Sequence, residues 1–170
     1  MSFQKVIIIG SPGAGKSTFA RKLRDITGLP LHYLDMIYHK PDRTTVSREE
    51  FDAKLREILS SEKWIIDGNY QRTIECRMRE CDTVFLLDYP VEQCLEGAQE
   101  RVGRKREEMP WTEETLDEEF RQWIVDFRHT ALPQIYTLLE KYKDGREIVV
   151  FKSRAEAEAW LDLTEKAQIN

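Results

Sequence analysis

The stretch Gly10-Ser11-Pro12-Gly13-Ala14-Gly15-Lys16-Ser17 constrains this chain more than any other. It matches G-x-x-x-x-G-K-[ST], the phosphate-binding P-loop. Its three glycines permit backbone angles that a Cβ would obstruct, so successive N–H groups can turn inward around an anion. Lys16 offers a point charge to the β- and γ-phosphates, and the Ser17 hydroxyl is a Mg²⁺ ligand. The helix that opens with Lys16, Ser17 and Thr18 adds its positive end. The flanks agree with this reading. Lys5-Val6-Ile7-Ile8-Ile9 has the composition of a buried strand, and Phe19, Leu23 and Ile26 recur at helical spacing. Strand, loop and helix stand in the order that binding a nucleoside triphosphate requires. Residues 10–18 are therefore the expected nucleotide contacts.

A chain of 170 residues is long enough for one domain with a sizeable core, and one domain is expected across 1–170. Its net charge of −5 argues against broad electrostatic binding to nucleic acid. No apolar run approaches the length of a membrane span, and the N-terminus enters a strand rather than a signal peptide. Cys76, Cys81 and Cys94 form an odd set without C-x-x-C spacing, which reads as reduced thiols of a cytoplasmic protein.

After the P-loop helix, expected over 16–27 with Gly28 as its C-terminal stop, Leu31-His32-Tyr33-Leu34 reads as a second strand delivering Asp35. Ligands of open α/β sheets bind outside the carboxyl ends of the strands, so Asp35 is either a site residue or else a turn residue or helix cap. Ser47-Arg48-Glu49-Glu50 is a capping box ahead of a helix. Trp64-Ile65-Ile66 reads as a third strand, closed by Asp67-Gly68-Asn69-Tyr70. An acid there can hold Mg²⁺ through water, and Gly68 and Asn69 would border a substrate. Arg72 could pair with an anionic acceptor. Thr83-Val84-Phe85-Leu86-Leu87 is a fourth strand and ends in Asp88. Asp67 and Asp88 thus compete for the metal, and the sequence does not choose between them.

Arg101-Val102-Gly103-Arg104-Lys105-Arg106 has three readings: a phosphate lid, a solvated face or a nucleic-acid patch. The acidic neighbours Glu107, Glu108, Glu113 and Glu114 weaken the third. For the lid, Arg101, Arg104 and Arg106 carry a fixed charge and a planar fork suited to a transferring phosphoryl group. Gly103 and Pro110 bracket a segment, about 101–112, that can hinge. Two amphipathic helices follow, then a fifth strand at Glu147-Ile148-Val149-Val150-Phe151. The loop Lys152-Ser153-Arg154 is a place for a nucleotide base to rest, ahead of a capped last helix. Five strands alternating with helices imply a parallel three-layer α/β fold.

The P-loop, the Trp64–Tyr70 segment, the Asp88-Tyr89-Pro90 turn and the Arg/Lys cluster ahead of Met109-Pro110-Trp111 resemble the bacterial DNA topology modulation proteins, which are similar to adenylate kinase and its P-loop kinase relatives. The resemblance implies sheet order 2-3-1-4-5 and a mobile lid. It implies that Asp67-Gly68 looks like the Asp-Gly whose acid sits in the magnesium shell, and that Arg72 falls near a substrate arginine. Arg101 matches the second of two arginines at the lid's base. The first, which packs on the nucleotide base, would fall at Gly97, where this sequence departs.

Two functional classes follow. One is an ATP- and Mg²⁺-dependent kinase acting on a small acceptor, with Lys16, Arg101, Arg104, Arg106 and Asp35 in catalysis. Its acceptor is expected to be an anionic metabolite or nucleotide-like molecule held by Asp35, Gly68, Asn69 and Arg72. The other is an NTP-binding regulatory module that hydrolyses slowly, linked only indirectly to DNA topology.

Overall fold

A computed structural model describes residues 3–170. Its centre is a five-stranded parallel sheet of β1 (Lys5–Gly10), β2 (Leu31–Tyr33), β3 (Trp64–Asp67), β4 (Thr83–Leu87) and β5 (Glu147–Phe151), in the order β2-β3-β1-β4-β5. This is the expected order. Parallel strands covered on both faces need apolar residues without alternation, which explains the unbroken runs in β1, β3 and β4.

Among the described residues the helices are α1 (Lys16–Thr27), α2 (Leu34–Tyr38), α3 (Arg48–Leu59), α4 (Gln71–Glu80), α5 (Val91–Glu100), α6 (Glu118–Asp126), α7 (Leu132–Tyr142) and α8 (Arg154–Ile169). Successive side chains of β1 point to opposite faces and so divide the core in two. Val6 and Ile8 pack with Phe19 and Leu23 of α1, Ala98 of α5 and Leu161 of α8. Ile7 and Ile9 pack with Phe51 and Leu55 of α3, Ile74 and Met78 of α4, and Ile135 and Leu139 of α7. The architecture is three-layered.

Local signals hold where the chemistry is local. Gly28 takes a left-handed conformation (φ 73°) and its N–H caps the Arg24 carbonyl. The Ser47 and Ser153 hydroxyls accept from the Glu50 and Glu156 amides at 3.1 and 3.2 Å. Two features differ from expectation. Strand β2 stops at Tyr33, so Asp35 lies in the first turn of α2 rather than at a strand end. Helix α4 begins directly after Tyr70, where its short apolar repeat, Ile74 and Met78, is masked by arginines and glutamates.

Candidate functional site

The P-loop leaves β1 and wraps toward α1 against the backbone of α5. A Cβ on Gly13 would collide with the Cys94 carbonyl oxygen, and a Cβ on Gly97 would collide with the Gly13 carbonyl oxygen. Helix α5 can approach the loop this closely only because both positions lack a side chain. The departure at Gly97 therefore has a steric reason: no arginine fits there. The guanidinium of Arg154 stands beside the same spot, with Nη2 3.3 Å from where that Cβ would be.

Asn69 fastens the start of the loop. Its Oδ1 accepts from the Gly10 N–H at 3.0 Å while its Nδ2 donates to the Gly10 carbonyl at 2.8 Å. Behind it, the buried Arg77 donates to the Gly68 carbonyl at 2.9 Å and also to the Asn69 carbonyl. Burial lowers the Arg77 guanidinium to about 10. These contacts qualify two expectations. The Asn69 amide is committed to the loop, and the space beside Gly68 (φ 137°) is filled by Leu34, 3.0 Å from an added Cβ. Gly68 is needed for packing as well as for its left-handed backbone.

Asp67 ends β3 and is buried, with Oδ2 accepting from the Ser17 hydroxyl at 2.6 Å. Desolvation pushes its carboxyl up to about 6, against the pull of Lys16 and Ser17. Desolvation likewise lowers the Lys16 ammonium, with Asp67 opposing it and Arg101 adding to it. The Lys16 Nζ donates to the Gly10 and Ser11 carbonyls at 3.2 and 3.1 Å. A buried carboxylate beside a hydroxyl, with its charge incompletely offset, fits a divalent cation; Asp67 and Ser17 are the pair that meets this requirement.

Asp88 is placed differently. Its Oδ2 accepts from Lys152 Nζ and from the Tyr136 hydroxyl, both at 2.6 Å, and its Oδ1 faces Arg128 at 3.3 Å. Burial raises this carboxyl, yet Lys152, Tyr136 and Arg128 outweigh it, so Asp88 titrates below the ordinary range. Three donors already occupy it, and it does not contact Ser17. Of the two acids left open in the sequence, Asp67 is the one in contact with Ser17.

Arg72 is also displaced from its expected position. It makes a bidentate pair with Asp52 of α3, at 2.7 and 3.2 Å, and lines neither cavity described below. The register of α4 turns it toward Asp52 of α3.

A cavity of about 600 Å³ runs from Lys16, Ser17 and Asp67 past Arg101 and Arg106 to Asp35. The Tyr70 hydroxyl donates to Asp35 Oδ1 at 2.7 Å; burial, with help from Asp35, keeps that phenol protonated. A second cavity, about 540 Å³, lies on the other side of the loop, bordered by Thr18, Gly97, Arg104 and Arg154. The arginine cluster is thus divided. Arg101 and Arg106 border both cavities, and Arg104 only the second.

Between α5 and α6 the chain is irregular and rests on α1. Glu108 is buried and accepts from Arg21 at 2.8 Å and Arg106 at 3.4 Å, while Glu107 accepts from Arg24 at 3.1 Å and from Tyr33. The acidic pair that weakened a nucleic-acid reading is a clasp.

One consequence can be measured on metal-free protein. The Asp67 carboxyl lies at about 6 when folded, above its ordinary 3.8. The folded state therefore holds this proton more tightly than the unfolded chain does. The resulting stability is present below pH 4 and lost as the pH rises through about 6. Asp67→Asn removes the charge that costs it. In the presence of a chelator at pH 8 the variant should melt about 5–10 °C above wild type, an effect on the order of 3 kcal/mol, with little difference at pH 4. Equal melting temperatures at pH 8 would contradict the buried, under-compensated carboxylate.

No protein-family model matches the chain. Among curated proteins it is similar to adenylate kinases, at 32% identity over 88 residues to that of Thermotoga petrophila and 30% to that of Thermotoga neapolitana. Each match covers 50% of this chain and 39% of the relative, so the chain aligns with well under half the length of these curated relatives. Among solved structures it resembles shikimate kinase from Bacteroides thetaiotaomicron (TM-score 0.58, 15% identity, 99% of this chain and 100% of the other). It also resembles shikimate kinase from Acinetobacter baumannii in complex with shikimate (TM-score 0.56, 18% identity, 98% and 96%). The two structures share the fold of this chain. No helix among the described residues is long and apolar enough to cross a membrane.

Proposed function

We propose that this chain is an ATP-dependent kinase that transfers the γ-phosphoryl group to a hydroxyl of a small-molecule acceptor. One observation carries the reading: a single cavity joins Lys16, Ser17 and Asp67 at the phosphate loop to a carboxylate, Asp35, held by Tyr70. A hydrolytic switch has no use for a second, oriented carboxylate across the cavity. The adenylate kinase matches favour the same chemistry.

In this reading the backbone N–H groups of residues 11–18 and Lys16 hold the triphosphate, and Thr18 and Arg154 border the adenine in the second cavity. Ser17 and Asp67 hold Mg²⁺, which supplies neutralisation of phosphate oxygens when bound. Arg101 and Arg106 face the phosphoryl group as its charge spreads, and the clasp at Glu107 and Glu108 keeps water out. Asp35 orients the acceptor hydroxyl and receives its proton, with Tyr70 fixing the carboxylate. The finer resemblance to the topology modulation proteins rests on the same segments, and an effect on DNA would be indirect.

The test is ATP turnover with and without a metabolite extract, for wild type and Asp35→Asn. Acceptor-stimulated turnover should fall in the variant by about 10²-fold or more, with ATP affinity nearly unchanged. Slow turnover that no extract stimulates, equal in both proteins, would return the reading to an NTP-binding regulatory module.

A further inference from the structure

We infer that the acceptor is a polyhydroxyl compound, recognised by His39 and Gln71 through a second hydroxyl next to the one that Asp35 takes. This rests on the kinase reading for which hydroxyl reacts, and on the cavity lining for what is recognised beside it.

Two side chains of the cavity lining keep a buried polar atom without a protein partner: His39 at Nδ1 and Gln71 at Oε1. Buried polar atoms of a folded protein are nearly always hydrogen-bonded, so each such atom calls for an explanation. These two share a position. His39 closes the turn that begins at Asp35, its N–H donating to the Asp35 carbonyl at 2.9 Å, so the two residues stand four positions apart on one helical turn. Gln71 opens α4 directly after Tyr70, whose hydroxyl donates to Asp35. Both unpartnered atoms are therefore mounted on the segments that carry and hold the acceptor carboxylate.

The imidazole is fixed in place. It stands edge to face against Tyr38 at 4.9 Å and Trp111 at 5.1 Å between centroids. Trp111 is held in turn by Glu113, through its indole N–H at 2.9 Å, and by the Arg43 guanidinium over its ring.

What these groups recognise follows from what they can offer. A neutral imidazole nitrogen accepts in one tautomer and donates in the other, and a carboxamide presents oxygen at one end and NH₂ at the other. A hydroxyl matches both, because it donates and accepts at once. Fixed donors stand elsewhere on the lining. Arg106 keeps a buried Nε without a partner and, with Arg101, is open to anionic oxygens, of the triphosphate or of the acceptor itself. A negative group on the acceptor thus fits the site, and it is the neighbouring hydroxyls that define the class. A lone hydroxyl on a hydrocarbon would satisfy Asp35 and leave His39 and Gln71 unpaired. Sites built to hydrogen-bond a hydroxyl reject the analogue that lacks it for this reason.

The probes are cis-1,2-cyclohexanediol and cyclohexanol, titrated into the full chain with and without a non-hydrolysable ATP analogue and Mg²⁺. Imidazole and side-chain amide signals are followed by NMR. His32 of β2 and His129 after α6 do not line the cavity and serve as internal controls. The diol should shift the His39 and Gln71 signals and bind about tenfold or more tightly than cyclohexanol, a difference of at least 1.4 kcal/mol. His39→Phe and Gln71→Met keep the bulk and remove the hydrogen-bonding atoms. Each should bring the diol's affinity toward that of cyclohexanol while affinity for the ATP analogue stays unchanged. Neither should melt below wild type, because each removes a buried polar atom that the folded chain leaves unpaired. The inference is overturned if the diol moves neither signal, or if cyclohexanol binds as tightly as the diol. It is overturned equally if both variants keep the preference for the diol, and a lower melting temperature alongside would give the two side chains a structural role. Failure of the ATP analogue to bind would instead sink the kinase reading, since the titrations without nucleotide still report on the cavity.

Discussion

Lys16→Ala should abolish turnover while leaving the chain folded. The side chain is held by two loop carbonyls, at 3.2 and 3.1 Å, and by the field of Asp67, not by core packing. Its charge is also costly where it stands, because desolvation lowers its pKa. Removing it takes away the ammonium that would meet the β- and γ-phosphates. The expected fall in kcat is about 10²- to 10³-fold, the loss typical of deleting one preorganised charge donor in a closed site. The melting temperature should change little, because a buried charge and two hydrogen bonds of ordinary strength disappear together. Stopped turnover in a folded variant is the result to look for in parallel steady-state and calorimetric measurements. Wild-type turnover would remove the phosphate loop from the mechanism.

Gly97→Ala should be as damaging, for a different reason. In the middle of a helix this change ordinarily stabilises by about 0.8–1.0 kcal/mol. Here the added methyl runs into the carbonyl oxygen of Gly13, which is backbone and cannot rotate away. Helix α5 or the phosphate loop must shift. Overpacking of this kind costs about 1–3 kcal/mol, so the melting temperature should drop by several degrees instead of rising. Because the displaced atom belongs to the loop, ATP affinity should fall by about tenfold or more in the same variant. Thermal melts and a nucleotide titration of the variant check both halves. A more stable protein with unchanged ATP affinity would mean that α5 does not lie against the loop.

The contrast between these two residues marks how far the sequence could be read. The role of Lys16 follows from a contiguous pattern whose geometry is set by the backbone of the same eight residues. The caps at Ser47 and Ser153 and the left-handed Gly28 are legible for the same reason, whereas the strand order is implied only by the family resemblance. Asp67 and Asp35 are legible as candidates because they follow apolar runs closely, although Asp35 turned out to sit in a helix. What the sequence hides is the identity of distant partners. Arg72 is neutralised by Asp52, twenty positions earlier, and Asp88 is occupied by Lys152 from the end of β5, because of how α4 and β5 are seated. A one-position change in the register of α4 would alter the first pairing. The requirement for glycine at position 97 is invisible for the same reason, since it comes from a backbone in another part of the chain.

The paired hydrogen bonds between Asn69 and Gly10 join the end of one central strand to the start of the phosphate loop, on the same turn that carries Asp67 and Tyr70. The groups assigned to the metal, the triphosphate and the acceptor hydroxyl are therefore mounted on one stiff frame. Trp111, Phe120, Trp123 and Phe127 also border the cavity, and this aromatic wall hangs from α6, its end and the irregular segment before it, outside that frame. Such a division separates two kinds of change. Residues of the wall can be exchanged, and the choice of molecule altered, without moving the atoms that break and make the phosphorus–oxygen bonds. It also makes the wall, rather than the frame, the place to begin when redesigning what this chain accepts.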